Sequence, residues 1–257
     1  MFQGKKVGVA LGSGLARGLA HIGVLKVLLD AGIRIDYLAG SSMGSVVAAL
    51  FACGLKLKLI ERLAESIPRR TWMDFTFPRM GLMAGERLEE LMQLLTGRRR
   101  IEEMELPLAF VAVDLGSGEK VVLRSGPAAR AIRASCAIPG MFCPVKIDGK
   151  LLVDGGVLDR VPAGVVKEMG ADLVIAVDVD SFATEYKINH IFDVLSKTIE
   201  IMSREISAAK QQVADVVITP DLSDIAPFHF HRASEIIARG EEAARQALPL
   251  LRKLKHG

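Results

Sequence analysis

The stretch Gly40-Ser41-Ser42-Met43-Gly44 sets a serine at the centre of a G-x-S-x-G frame. Where such a frame joins a strand to a helix, the flanking glycines allow a tight, strained turn that lifts the central hydroxyl clear of the sheet. That hydroxyl belongs to Ser42, a candidate nucleophile, and the side chain of Ser41 should point elsewhere. A helix beginning at Ser42 would also turn its N-terminal N–H groups and positive dipole end toward a developing oxyanion. The frame alone admits a plainer role as well, in which both serines cap that helix.

A second feature is GSGLARG, residues 12 to 18. Glycine-rich turns at helix N-termini cradle phosphate. Here Arg17 stands where the third glycine of G-x-G-x-x-G belongs, and Asp36 precedes or opens the second strand instead of closing it, which argues against a dinucleotide. Successive backbone N–H groups aimed into one cavity, with Arg17 adding positive charge, suit an oxyanion hole beside Ser42. The competing reading is a helix-capping turn with a solvated arginine.

A serine hydroxyl is a weak nucleophile until a base removes its proton. Five histidines are available. His21 lies in the first helix, ahead of Ser42; His190 begins a long helix; His256 falls in a fraying tail. Only His229 and His231 fit the order Ser, acid, His, and their alternation with Phe228 and Phe230 suits an edge or surface segment better. A carboxylate in direct contact with Ser42 in a dry site would replace histidine. Asp114, Asp148, Asp154, Asp159 and Asp178 are all candidates, Asp154 because it follows a strand-like run and precedes Gly155 and Gly156 at a tight turn.

The elements that must position these groups follow from hydrophobic periodicity. Val7 to Leu11 reads as a strand closed by the glycine loop, and Leu19 to Ala31 as a helix. Ile33 to Ala39 reads as a second strand, and Ser45 to Cys53 as a helix ending at Gly54, so a strand, turn and helix surround Ser42. Helices follow over 57 to 66 and 86 to 96, paired strands over 108 to 114 and 120 to 124, a helix over 127 to 136, and a hairpin over 145 to 153. A helix over 162 to 169, a buried strand over 173 to 179, one long helix or two over 189 to 214, a short strand over 216 to 218 and a closing helix over 232 to 254 complete the chain. Between them, residues 71 to 85 lose periodicity while carrying Trp72, Phe75, Phe77, Met80, Leu82 and Met83. That stretch is either a lid or interfacial contact for a membrane surface, or an irregular cover over the core. Strands alternating with helices imply a mostly parallel sheet covered on both faces, with chemistry at the carboxyl ends of its strands.

The 257 residues, 50% hydrophobic and 25% charged, fit one globular domain over 1 to 257, with a core at about 5 to 220. A net charge of +3 with no large basic cluster argues against nucleic acid as a partner. Three cysteines without C-x-x-C spacing argue against a zinc site or disulfide framework and fit a reducing, cytoplasmic setting. The apolar run near the start is too short for a signal peptide, and no run approaches a membrane span.

Four segments, in matching order and spacing over nearly the whole chain, resemble the bacterial patatin-like phospholipases: ALGSGLARGLAHIGVLKVL, GSSMG, IRASCAIPGMFCPV and DGGVLDRVP. The resemblance implies a three-layer α/β/α fold with a mostly parallel central sheet. It also implies a serine lipid acyl hydrolase with a Ser-Asp dyad and no histidine, Ser42 as nucleophile and Asp154 as proton acceptor, working on a lipid ester or phospholipid without metal or cofactor. Gly12, Gly14 and Leu15 then surround the oxyanion, and Arg17, Gly18, Gly40, Gly44, Gly155 and Gly156 support the site. Such an enzyme would be cytoplasmic, with peripheral contact at the inner membrane face through 72 to 83. Two departures stand out. Ser13 and Leu15 replace glycines of the family's oxyanion loop, and since Leu15 does not take positive φ cheaply, a differently shaped loop is expected. Arg160 stands where similar sequences usually carry Asn, two residues before Pro162. A Ser-His-Asp esterase, an acyltransferase to a thiol acceptor, and a non-catalytic lipid-binding regulator are the alternatives.

Overall fold

The computed structural model describes residues 4–77, 80–180, 191–208 and 213–254. Its elements in chain order are β1 (Val7–Leu11), α1 (Ala20–Asp30), β2 (Tyr37–Ser41), α2 (Met43–Ala52), α3 (Leu57–Ser66), β3 (Gly81–Met83), α4 (Glu86–Leu95), β4 (Leu108–Asp114) and β5 (Lys120–Leu123). These are followed by α5 (Ala128–Ser135), β6 (Gly140–Phe142), β7 (Val145–Ile147), β8 (Lys150–Asp154), α6 (Ala163–Glu168), β9 (Leu173–Val177), α7 (Ile191–Ala208), β10 (Val216–Ile218) and α8 (Ala233–Lys253). The main sheet runs β10-β9-β1-β2-β4-β8-β7, with β5 also on β4. The pairs joining β10, β9, β1, β2 and β4 are parallel, whereas β5, β8 and β7 enter antiparallel.

The central strands read as continuous apolar runs because both sheet faces are covered. Side chains alternate between two cores, as the pleat requires. Val9, Leu11, Leu38, Phe110, Ile175 and Val177 face a large core shared with α1, α2, α4, α5 and α8. Ala10, Ala39, Ala109, Val111, Val174 and Ala176 face a smaller one closed by Val165 and Val166 of α6. Bulky residues on one face and small ones on the other thus build a three-layer α/β/α arrangement.

One detail of pairing places the site. A strand has two edges, and β5 occupies one edge of β4 from Phe110 to Val113. On the other edge, β2 pairs in parallel up to Ser41 opposite Val111, and β8 comes down antiparallel to Asp154 opposite Ala112. The carboxyl ends of β2 and β8 therefore meet head to head on consecutive residues of a third strand.

The second strand begins at Tyr37, later than periodicity predicts; Asp36 just before it is held to Val7 twice, its N–H donating to the Val7 carbonyl at 2.8 Å and its carboxylate accepting the Val7 N–H at 2.9 Å. A two-stranded parallel sheet of β3 and β6 was not anticipated; its strands of three residues are too short to carry a pattern. The helix expected over 189 to 214 is α7, and 189, 190 and 209 to 212 lie outside the described residues.

Candidate active site

Ser42 sits at the turn between β2 and α2 with φ 52° and ψ −123°, a conformation that costs a non-glycine residue on the order of 1–3 kcal/mol. The turn closes because its neighbours lack side chains. A Cβ on Gly44 would lie 2.1 Å from the Leu11 carbonyl oxygen, and one on Gly40 would lie 2.5 Å from the Gly44 backbone. Ser45 ties the elbow from within α2, since both its N–H (2.8 Å) and its hydroxyl (2.6 Å) donate to the Ser42 carbonyl.

Asp154 closes β8 from the opposite side and is 4% exposed. Its Oδ1 accepts the Gly156 N–H at 2.7 Å, while Oδ2 is buried and accepts no hydrogen bond from the described residues. Burial pushes its carboxyl up to about 6, against the pull of the Ser42 hydroxyl, the Gly156 N–H and the Arg160 charge toward the ionised form. The carboxylate is thus more basic than an ordinary aspartate yet ionised at neutral pH.

The other aspartates are engaged elsewhere. Asp114 accepts N–H groups from Gly116, Ser117 and Leu151 and is held below the usual carboxylate range by those bonds. Asp159 pairs with Lys120 at 2.9 Å, Asp178 accepts the Asp180 N–H at 3.0 Å, and Asp148 occupies the turn between β7 and β8 at φ 48°. Among the described residues, no histidine hydrogen-bonds Ser42 or Asp154. His21 Nε2–H donates to the Gly12 carbonyl at 2.7 Å, and burial holds the ring neutral with its pKa down at about 4. His229 Nδ1 accepts the Ala226 N–H at 3.2 Å, and its ring lies tilted against that of His231 with centroids 5.1 Å apart. His190 and His256 lie outside the described residues.

The loop after β1 differs from expectation at three residues. Gly12 does not serve as an oxyanion donor, because its N–H extends the sheet ladder to the Val177 carbonyl at 3.0 Å. Leu15 does adopt positive φ, at 49°, so the turn expected to need glycine is made without one, at a backbone cost. Arg17 is 3% exposed and is not a free charge for an anion. Its Nε donates to the Ile225 carbonyl at 2.7 Å, and its Nη1 lies 3.6 Å from Asp180 and 3.9 Å from Glu200, which ties the loop to α7. The N–H groups of Gly14 and Leu15 donate to no described residue and remain the candidate oxyanion donors. Gly18 lets the loop close on the elbow, where a Cβ would lie 2.5 Å from Met43.

Several contacts at the site carry no sequence signature. Ser41, fully buried, accepts the Ser13 hydroxyl at 2.9 Å and so joins the loop to the elbow. A Cβ on Gly155 would lie 2.7 Å from that Ser41 hydroxyl, and one on Gly156 would lie 2.6 Å from Ser13 Oγ. The end of α5 binds both halves of the pair: Ser135 Oγ accepts the Ser42 N–H at 3.0 Å, and the Ala137 carbonyl accepts the Asp154 N–H at 3.0 Å. Cys136 lies beside the pair as a neutral thiol, its pKa pushed up to about 12 by burial and by the Asp154 charge.

An apolar cavity of about 410 Å³ opens on Ser42 and runs between α2, α3 and α4, past Val47, Leu50, Ile60, Met92 and Leu95. Trp72 and Phe230, whose rings meet edge to face at 5.4 Å, belong to its lining. The aperiodic stretch beyond divides in two. Trp72 and Met83 pack on the core, as a cover would, while Phe75, Phe77 and Met80 are 75%, 80% and 61% exposed.

Residues 9–167 match the family described as Patatin-like phospholipase. An uncharacterized NTE family protein of Mycobacterium tuberculosis is 41% identical over 178 residues, 68% of this chain and 49% of that protein. Lysophospholipase NTE1 of Yarrowia lipolytica is 33% identical over 196 residues, 74% of this chain and 14% of that protein. The chain thus spans about half the length, or less, of the relatives it matches. Among solved structures, VipD from Legionella pneumophila superposes with a TM-score of 0.69 at 13% identity, covering 95% of this chain and 67% of that one. The type III effector protein ExoU gives 0.52 at 14% identity, covering 96% and 53%. At such identities these two speak for the fold alone.

Proposed function

Because the chain belongs to the patatin-like phospholipase family, we propose that it is a serine lipid acyl hydrolase in which Asp154 alone accepts the proton of Ser42. The observation that carries this reading is the buried, unpartnered Asp154 Oδ2 beside a strained serine at the end of an apolar cavity. In the forward step the Ser42 proton passes to Asp154 as Oγ bonds to the ester carbonyl carbon. The carbonyl electron pair moves onto oxygen, facing the N–H groups of Gly14 and Leu15. Collapse expels the alcohol, which takes the proton from Asp154, and leaves Ser42 acylated. Water then attacks the acyl carbon, losing its proton to Asp154, and as the bond to Ser42 Oγ breaks that oxygen takes the proton back, releasing the fatty acid.

The apolar cavity suits the acyl chain, and the lysophospholipase among the relatives favours a lysophospholipid or phospholipid substrate. Incubation of the protein with 1-acyl lysophospholipid should release free fatty acid, and a fluorophosphonate should label a single peptide at Ser42. Label on Ser41, or acyl transfer to added thiol in preference to water, would overturn the reading.

The exposed Phe75, Phe77 and Met80 support contact with the surface of a cytoplasmic membrane leaflet. No helix among the described residues is long and apolar enough to cross a membrane. Burying a phenylalanine in an interface stabilises binding by about 1.5–3 kcal/mol. Phe75→Ser with Phe77→Ser should therefore lower sedimentation with phospholipid vesicles by about tenfold or more and leave hydrolysis of a soluble short-chain ester unaltered. Unchanged sedimentation would remove this contact from the proposal.

A further inference from the structure

Of the two serines in the G-x-S-x-G frame, Ser41 forms no bond in the reaction described, and neither does Ser13 in the loop after β1. Their hydroxyls are nevertheless bonded to each other at 2.9 Å, and both residues are buried. Three strands set the place where they meet. Ser13 follows β1, Ser41 ends β2, and the turn that closes β8 lies against both. A Cβ on Gly155 would collide with Ser41 Oγ, and one on Gly156, the residue whose N–H binds Asp154, would collide with Ser13 Oγ. The candidate oxyanion loop, the elbow of the nucleophile and the turn of the base therefore come together at this pair of hydroxyls.

The loop has little else to hold its central residues. The N–H groups of Gly12 and Ser13 are taken by the Val177 and Arg160 carbonyls, at 3.0 and 2.8 Å, and that of Ala16 by the Pro227 carbonyl at 2.9 Å. Between these anchors, Gly14 and Leu15 carry N–H groups that donate to no described residue. Leu15 also keeps a φ of 49°, which a non-glycine residue holds only where its surroundings enforce it. A hydrogen bond shut away from water is directional and meets no competing solvent. This one joins the residue just before the two donors to the residue just before Ser42.

We propose that Ser13 and Ser41 are positioning residues for the reaction, their hydroxyl bond fixing the loop against the elbow so that the Gly14 and Leu15 N–H groups face the carbonyl oxygen of the ester attacked by Ser42. This rests on Ser42 and Asp154 being the reacting pair. Neither hydroxyl exchanges a proton with substrate, and the bonds made and broken are those already described.

The experiment compares the wild type with Ser13→Ala, Ser41→Ala, the double variant and Ser41→Thr, on p-nitrophenyl butyrate. A misplacement of about 1 Å costs on the order of 10²-fold in rate, so either alanine variant should lose about 10- to 100-fold in kcat with KM unchanged. Binding of an alkyl trifluoromethyl ketone, to which Ser42 adds to leave an oxyanion in the same place, should weaken by the same factor. The pH–rate midpoint near 6 should stay where it is, because the base is untouched. Each single variant strands one buried hydroxyl, whereas the double variant removes both. The double variant should thus regain melting temperature over the singles while its kcat stays at their level, and Ser41→Thr, which keeps a hydroxyl at the end of β2, should exceed Ser41→Ala in kcat by about tenfold. Activity that returned along with stability in the double variant would assign the pair to the fold alone. A shifted pH midpoint would mean that it acts through Asp154, and unweakened ketone binding would mean that the N–H donors are set by something else. Any of these three results overturns the proposal while the wild type remains active. A wild type that neither hydrolyses the ester nor binds the ketone would instead fail the catalytic reading and take the proposal with it.

Discussion

Asp154→Asn is expected to lower kcat/KM by about 10²- to 10⁴-fold, the usual contribution of a positioned base, and at the same time to make the protein harder to unfold at pH 8. The two effects share one cause. Asp154 is buried with its carboxyl pKa raised to about 6 from the ordinary 3.8. Between those values the folded protein holds the proton more tightly than the unfolded chain does. Stability is therefore full below pH 4, falls as pH rises through 4 to 6, and stays lower above that window, by on the order of 3 kcal/mol. Asparagine carries no charge to desolvate and still accepts the Gly156 N–H. The variant should melt roughly 5–10 °C above the wild type at pH 8, converging with it near pH 4. The wild type's kcat/KM should rise with unit slope through about pH 6, where the base loses its proton. Thermal melts of both proteins across pH 4 to 8, beside a pH–rate profile, decide the matter. A variant that is inactive but no more stable at pH 8 would show that Asp154 pays no desolvation cost, and the source of its basicity would be lost with it.

Replacement of Ser42 with alanine should lower kcat by about 10⁴-fold or more, since nothing else can carry the acyl group. Ser41, 0% exposed and hydrogen-bonded to Ser13, does not substitute for it. Members of a catalytic unit are not additive, so the double variant Ser42→Ala with Asp154→Asn should be little worse than Ser42→Ala alone. Additive losses would mean that the two residues serve separate steps. Loss of the Ser42 hydroxyl also removes one of the interactions that draw the Asp154 pKa down. The pH window over which stability falls should accordingly move upward in Ser42→Ala, a readout that needs no turnover.

How much of this was legible in the sequence depended on the distance over which each signal acts. Val7 to Leu11 with its glycine loop, the elbow at Ser42, and the paired strands of β4 and β5 follow from periodicity and turn chemistry within about ten residues, and these elements lie close to where they were read. The proton acceptor was different. Five aspartates stood level on local grounds, and family likeness, not spacing, put Asp154 first. In the folded chain the others are occupied: Asp114 caps a turn and Asp159 holds Lys120. The loop after β1 was misread where backbone geometry overrode residue type. Leu15 accepts a left-handed φ, and Gly12, the residue best suited to a donor cradle, spends its N–H on a strand added far later in the chain. Ser135, Ala137 and the Arg17 to Glu200 pairing were illegible because each links segments separated by tens of residues or more, with no local pattern to mark the partner.

The meeting of β2 and β8 on one edge of β4 has a consequence for how the chain tolerates change in length. The nucleophile and its base are separated along the chain by α2 to β7, yet their spacing in space is set by the peptide between Val111 and Ala112. Residues spliced into the turns at 53 to 56, 97 to 99 or 115 to 119 lengthen the path without altering that interval, and each doubling of a flexible loop costs only about 0.6 kcal/mol of closure entropy. A single residue inserted between 111 and 112 would do what dozens elsewhere would not, sliding Ser42 and Asp154 apart by one step of the ladder.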